Sequence, residues 1–307
     1  VPATVVGQPL SGNRCQVSRA KRRPTGFHEA LIICGMQSDT PSSPNSPNSP
    51  NSPNSPNDRP VENPADGKDK PGIALVVVAH PDDAEFGCAG TVAKWAREGW
   101  AIYLVVCTDA SGGGSDDATD VGLSARQAIT ATRKAEQHAA ARILGLCDVI
   151  FLDQPDGLLM PTLELRKMLV RLIRTIRPTR LICQSPDRNW KPNYAIGRHH
   201  PDHLAAGTAA IAAMYPAAQN PWDFPDLLAE GLKPHKVREL FVMGAPEVNQ
   251  VVDITDTLAL KIAALREHHS QLGANFVEVE KRIREFAQKN GEAHGLAAAE
   301  IFNRAEH

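Results

Sequence analysis

The chain has 307 residues, 42% of them apolar, and a net charge of -2, which is enough for one full α/β core and gives no basic field for nucleic acid. No apolar run approaches the roughly 18 residues of a membrane span. None of the six cysteines stands in a CxxC pair, so a structural zinc knuckle is not expected; reduced thiols in a cytoplasmic setting are.

Residues 1–71 differ from the rest. A Ser-Pro-Asn repeat starting at Ser43 runs to Pro56 and gives way to charged, proline-containing sequence. Such composition buries too little apolar surface to offset ordering entropy, so a disordered leader is expected ahead of a folded domain over 72–307. In that domain, Ile73 to Ala79 is a continuous β-branched run, typical of a strand buried on both faces. A helix follows from Glu85 to Glu98, stopped by Gly99, and a second buried strand spans Ala101 to Cys107. After a glycine-rich loop (Ser111 to Gly114) come a helix from Leu123 to Leu144 and a strand from Val149 to Leu152. A helix from Thr162 to Ile176 and a strand from Arg180 to Cys183 continue the alternation. Strands at Glu239 to Met243 and Val251 to Ile254, and helices at Thr257 to His269 and Phe276 to Lys289, complete it. Strict alternation calls for right-handed crossovers and a Rossmann-like, mainly parallel sheet flanked by helices.

In such a sheet, ligands bind outside the carboxyl ends of the strands. The first strand ends in His80-Pro81-Asp82-Asp83, and the loop after the Cys183 strand leads to His200-Pro201-Asp202-His203. A residue and its third neighbour share one side of a first helical turn, so His80 and Asp83 are spaced to bind one cation. One histidine from the second tetrad completes two imidazoles and a carboxylate, a catalytic zinc set with a position left for water; ferrous iron also suits it. Asp82 and the remaining histidine are then placed for proton transfer and oxyanion stabilisation. An isolated Asp82-Asp83 pair reads more simply as a helix cap; two such tetrads at separate strand ends do not.

The stretch Ala79-His80-Pro81-Asp82-Asp83-Ala84-Glu85-Phe86-Gly87-Cys88-Ala89-Gly90-Thr91 resembles the opening signature of the PIG-L/LmbE deacetylases. The resemblance continues through Arg133 to Glu136, Pro155-Asp156-Gly157, the second tetrad, His268-His269-Ser270-Gln271 and Ala299 to Phe302. The Leu152-to-Gly157 stretch is similar to the bacillithiol-type branch. The resemblance implies an enzyme that removes acetyl groups from N-acetylglucosaminyl conjugates, with zinc on His80, Asp83 and His203. It further implies Asp82 as general base, His200 as an oxyanion-stabilising imidazolium, and Asp202 as the group orienting an imidazole. Arg133 and Asp156 match sugar-holding positions. Asp109 stands where many relatives carry a Gly-Glu pair, and His268 is expected to line the pocket or a buried polar network. Trp190 and Tyr194 are candidates for stacking on a sugar or for lid packing.

The alternatives are a hydrolase of another amide or ester, or a non-catalytic nucleotide- or sugar-binding module. The segment Gly87-Cys88-Ala89-Gly90 lacks the GxGxxG pattern and is read as a close-packing helix start. A small N-acetylated amino-sugar conjugate is the expected partner, and homo-oligomerisation is left open.

Overall fold

The computed structural model describes residues 71–190 and 199–307. The expected leader up to residue 70, Cys15, Cys34 and Tyr194 lie outside them.

Seven strands form one sheet in the order β3-β2-β1-β4-β5-β7-β6. They are β1 (Ile73–Val78), β2 (Ala101–Thr108), β3 (Asp148–Gln154), β4 (Arg180–Gln184), β5 (Glu239–Met243), β6 (Gln250–Asp253) and β7 (Ala299–Glu306). The first five are parallel, as their apolar runs demand, whereas β7 is antiparallel to both β5 and β6. β7 was not foreseen as a strand. Glu300, Asn303, Arg304 and Glu306 interrupt its apolar pattern, and most of their polar groups find partners far away in the chain. Arg304 Nε, for example, donates to Glu239 Oε1 at 2.8 Å.

Side chains alternate across each strand. Leu75 and Val77 join a core with α4 (Leu163–Ile176) and α5 (Pro201–Ala212), built around Leu165, Leu169 and Ala209. Val76 and Val78 face the other side, where α2 (Ala89–Arg97) brings Val92 and Trp95. Also on the domain are α1 (Asp83–Gly87), α3 (Leu123–Leu144), α6 (Pro225–Ala229), α7 (Leu258–Arg266), α8 (His269–Leu272) and α9 (Phe276–Glu292). A close approach sets α5 against the sheet: a Cβ on Gly207 would lie 2.2 Å from the Gln184 carbonyl oxygen.

The single helix expected over 85–98 is two, α1 and α2, broken where Cys88 takes φ -145°. Glu300 is the reason. Its carboxylate accepts from Gly90 N at 3.0 Å and Thr91 N at 2.7 Å, capping α2 from the far end of the chain. Lys261, buried beside it, donates to Glu300 Oε1 at 2.7 Å and to Phe86 O, in α1, at 2.8 Å. A Cβ on Gly90 would meet Ile254 at 2.8 Å, in keeping with the close-packing reading of that glycine.

Breaking a buried ion pair on one side strands the other charge, at a cost of about 3–5 kcal/mol. Glu300→Ala is therefore expected to lose stability of that order in urea unfolding; a loss within about 0.5 kcal/mol, ordinary for a surface change, would contradict the capping role.

Candidate active site and metal centre

The strand order reverses between β1 and β4, the place where an open α/β sheet leaves a crevice beyond its strand ends. Both tetrads are there. Gln184 Oε1, at the end of β4, accepts from Ala79 N at 2.9 Å and so fixes where β1 stops. Beyond that point Pro81 turns the chain and Asp82 takes a left-handed φ of 79°. α5 starts with His200 as N-cap and Pro201 in its first turn; His200 Nδ1 accepts from Asp202 N at 3.2 Å.

His80 Nδ1 lies 3.3 Å from His203 Nε2 and 3.5 Å from Asp83 Oδ2, while His203 Nε2 is 3.1 Å from Asp83 Oδ1. Two imidazole nitrogens and a carboxylate thus converge on one point. The ring of His200 stands edge-on to His80 with centroids 4.9 Å apart, and His80, His200 and His203 also group closely enough to share an ion. On its other side, His80 Nε2 is 3.0 Å from Asp156 Oδ1 and 3.1 Å from Asp202 Oδ2. These carboxylates call for a proton on Nε2, which leaves the Nδ1 lone pair facing Asp83 and His203, the usual tautomer of an imidazole ligand. The donor set suits a divalent metal of the zinc or ferrous type.

The electrostatics add a condition: a cation bound at Nδ1 must displace the proton that the neighbouring carboxylates favour there. Burial alone would lower the His80 pKa, but hydrogen bonds to Asp156 and Asp83, and their charges, push it up to about 10. Burial likewise would raise Asp83, yet the two histidines hold it well below the usual carboxylate range. For Asp82, burial and the neighbouring Asp83 charge raise the pKa to about 7, against the opposing pull of Arg133 and His268. His200 is lowered, by burial first and then by the His80 charge. These surroundings favour a neutral His200 over the expected imidazolium.

The other candidate residues fall into two groups. Arg133 reaches Asp82 Oδ2 at 3.6 Å and Asp156 Oδ2 at 3.8 Å, and donates to Pro81 O at 3.1 Å. Asp202, fully buried, accepts from Gly157 N (2.7 Å) and Leu159 N (3.1 Å), and the imidazole its carboxylate meets is that of His80. Asp109 and His268, by contrast, do not line the cavity. Asp109 Oδ1 accepts from Ser111 N and Asp156 N, so it shapes the glycine loop from beneath. His268 is wholly buried, with Nε2 3.4 Å from Glu85 Oε2. Asp109 and the pocket-lining alternative for His268 placed a side chain at the substrate because a carboxylate or imidazole near such a site carries no mark of which way it turns; for His268 the other alternative, a buried polar contact, is the one observed. Trp190 is 70% exposed and is not part of the cavity wall.

One participant was missed. Gln137 accepts from Asp82 N at 3.0 Å and donates to Glu85 Oε1 at 2.8 Å. It lies four residues after Arg133 on α3, hence on the same helix face, and that spacing was the available signal. Together, Arg133 and Gln137 hold the Pro81–Asp82 backbone in its left-handed turn. The motif residues near the C terminus serve as struts: Glu136 accepts from Ser270 N and Oγ at 2.7 Å, and Gln271 Nε2 donates to Gly113 O at 2.8 Å.

The family described as PIG-L, GlcNAc-PI de-N-acetylase, matches residues 75–214. Diacetylchitobiose deacetylase of Thermococcus kodakarensis is 33% identical over 227 residues, covering 74% of this chain and 80% of that protein. A 1D-myo-inositol 2-acetamido-2-deoxy-alpha-D-glucopyranoside deacetylase of Saccharopolyspora erythraea is 27% identical over 239 residues, 64% of this chain and 83% of its own length. The solved N,N'-diacetylchitobiose deacetylase from Pyrococcus horikoshii superposes with a TM-score of 0.68 at 29% identity, covering 76% of this chain and 84% of that one. The chain belongs to the PIG-L family of de-N-acetylases. No helix among the described residues is long and apolar enough to cross a membrane.

Replacing Gln137 by leucine strands two buried polar groups, the Asp82 N–H and one Glu85 oxygen, at about 1–3 kcal/mol each. Gln137→Leu is expected to lower unfolding stability by about 2–6 kcal/mol; a loss confined to a few tenths would show that Asp82 does not depend on this clamp.

Proposed function

We propose that the chain is a zinc-dependent amide hydrolase that removes the acetyl group from an N-acetylglucosaminyl conjugate, with its catalytic domain over residues 72–307. The observation that carries this reading is the convergence of His80 Nδ1, Asp83 and His203 Nε2 within 3.5 Å of one another beyond β1 and β4. These three would hold the ion. The relatives named above support the N-acetylglucosaminyl unit, since their names specify deacetylation of diacetylchitobiose and of an inositol glucosaminide. A bound zinc ion supplies Lewis acidity, which polarises an amide carbonyl and lowers the pKa of water.

The chain's own groups divide the rest of the work. Asp82 takes the proton of the attacking water; its carboxylate is mostly buried beside Arg133 and its backbone is pinned by Gln137. His200 has Nδ1 engaged by the Asp202 N–H, which leaves Nε2 to donate to the oxyanion that develops on the acetyl carbonyl oxygen. Asp202 and Asp156 hold His80 through Nε2, as outer carboxylates commonly hold a ligand imidazole. Arg133 and Asp156 line the cavity where the sugar hydroxyls would sit. The proton held by Asp82 returns to the leaving amine as the C–N bond breaks. A reducing, cytoplasmic setting accords with the buried Cys88, Cys107 and Cys183 being free thiols.

The test pairs elemental analysis of the purified protein with amine release from N-acetylglucosaminyl conjugates. Stoichiometric zinc and chelator-sensitive release are expected for the native chain. His203→Ala should lose both metal and turnover, whereas Asp82→Ala should keep the metal and lose about 10²–10⁴ in rate. Near-native release by Asp82→Ala would overturn the base assignment, and iron in place of zinc would correct the metal.

A further inference from the structure

His268 opens the His268-His269-Ser270-Gln271 stretch between α7 and α8, and the deacetylation chemistry gives it no task. Its ring is wholly buried, and neither ring nitrogen has a hydrogen-bond partner among the described residues. For packing alone an apolar side chain would serve better, because a polar group buried unpaired costs about 1–3 kcal/mol. What the ring does meet is charge. Nε2 stands 3.4 Å from Oε2 of Glu85, itself wholly buried. Burial alone would lower the His268 pKa, but Glu85, and the charges of Asp82 and Glu136, hold it up, which favours an imidazolium. The other buried cations nearby are taken: Arg133 by Asp82 and Asp156, Lys261 by Glu300.

Glu85 connects that charge to the site. Its other oxygen, Oε1, accepts from Gln137 Nε2 at 2.8 Å, and Gln137 Oε1 accepts from Asp82 N at 3.0 Å. A carboxylate only accepts, so it faces the NH2 end of the amide and turns the carbonyl end to the Asp82 N–H. Reversed, the amide would set an NH2 against that N–H and leave the left-handed turn at Asp82 without its acceptor. The register of the supporting segment is fixed close by. α7 packs on both α1 and α3, and Ser270 N and Oγ donate at 2.7 Å to Glu136, the residue before Gln137.

We propose that His268 is a positioning residue for the Asp82 base: its ring holds Glu85, Glu85 orients the Gln137 amide, and the amide holds the turn that presents Asp82 to the cavity. The proposal rests on the deacetylase reading above, which makes Asp82 the base. His268 stands behind the cavity wall and acts only through its neighbours. Misplacing a reacting group by about 1 Å costs on the order of 10²-fold in rate, so a residue remote from the chemistry can carry a large effect.

The experiment compares the metal-loaded full chain with His268→Leu and His268→Gln. Both remove the charge opposite Glu85, and glutamine keeps a polar group there should leucine prevent folding. Both should keep stoichiometric metal and a KM for an N-acetylglucosaminyl conjugate within about twofold, and lose about 10–100-fold in kcat. In an Asp82→Ala background the same changes should cost less than about twofold, because the group they misplace is gone. A folded variant with native kcat would overturn the proposal. So would an equal loss in the Asp82→Ala background, which would mark a general structural role. NMR adds a readout apart from turnover: the Asp82 amide resonance should shift in both variants, and an unmoved resonance would break the link from His268 to Asp82. If the wild-type chain releases no amine, the deacetylase reading falls, and the amide shift still decides whether His268 holds the Asp82 turn.

Discussion

The two nitrogens of His80 hold this site together. Through Nδ1 the ring meets Asp83 on α1 and His203 on α5; through Nε2 it meets Asp202 and Asp156, the latter on the loop after β3. One nearly buried imidazole therefore joins three separate crossovers of the sheet. Its tautomer is set by the carboxylates on the Nε2 side, and that choice decides what the other side can offer a cation. A lysine or an amide in its place would have one functional end, not two opposed ones.

So much charge in a buried place is costly unless each group is matched. The matching is done by elements distant in sequence: α3 supplies Arg133 and Gln137 to the turn that carries Asp82, and backbone N–H groups of Gly157 and Leu159 satisfy Asp202. Glycines make room where the matching is tightest. A Cβ on Gly113 would stand 2.5 Å from Arg133 Nη1, so a side chain there would push the guanidinium out of its place. Asp82 itself accepts the strain of a left-handed backbone, a conformation that ordinary residues hold only when their surroundings impose it.

Much of this was legible in the sequence, and the reasons it was legible also mark where it stopped. Buried parallel strands are written as unbroken apolar runs, and β1, β2, β4 and β5 follow those runs to within a residue or two. The tetrads announce themselves because two strand ends repeat one pattern of ligand-type residues. β7 is different: it alternates with charges whose partners, Lys261 and Glu239, are known only once the chain is folded. The break at Cys88 has the same origin, because the group that caps α2 comes from that strand. Asp109 and His268 show a further limit. Nearness to a site can be read from a motif, but whether a side chain faces substrate or supports a neighbour depends on χ angles that packing decides.

The cap that Glu300 places on α2 has a bearing on how the molecule is made. It links positions 210 and 209 residues apart in the chain, and α1, with Asp83, sits directly against the paired lysine. Contacts of such span form late, after a large loss of chain entropy. During synthesis the first tetrad leaves the ribosome long before Glu300, the support beneath it. A nascent chain therefore carries the tetrad's side chains long before it has the framework that fixes them. Loss of β7, which carries Glu300, would reach back to the two helices that follow the first tetrad.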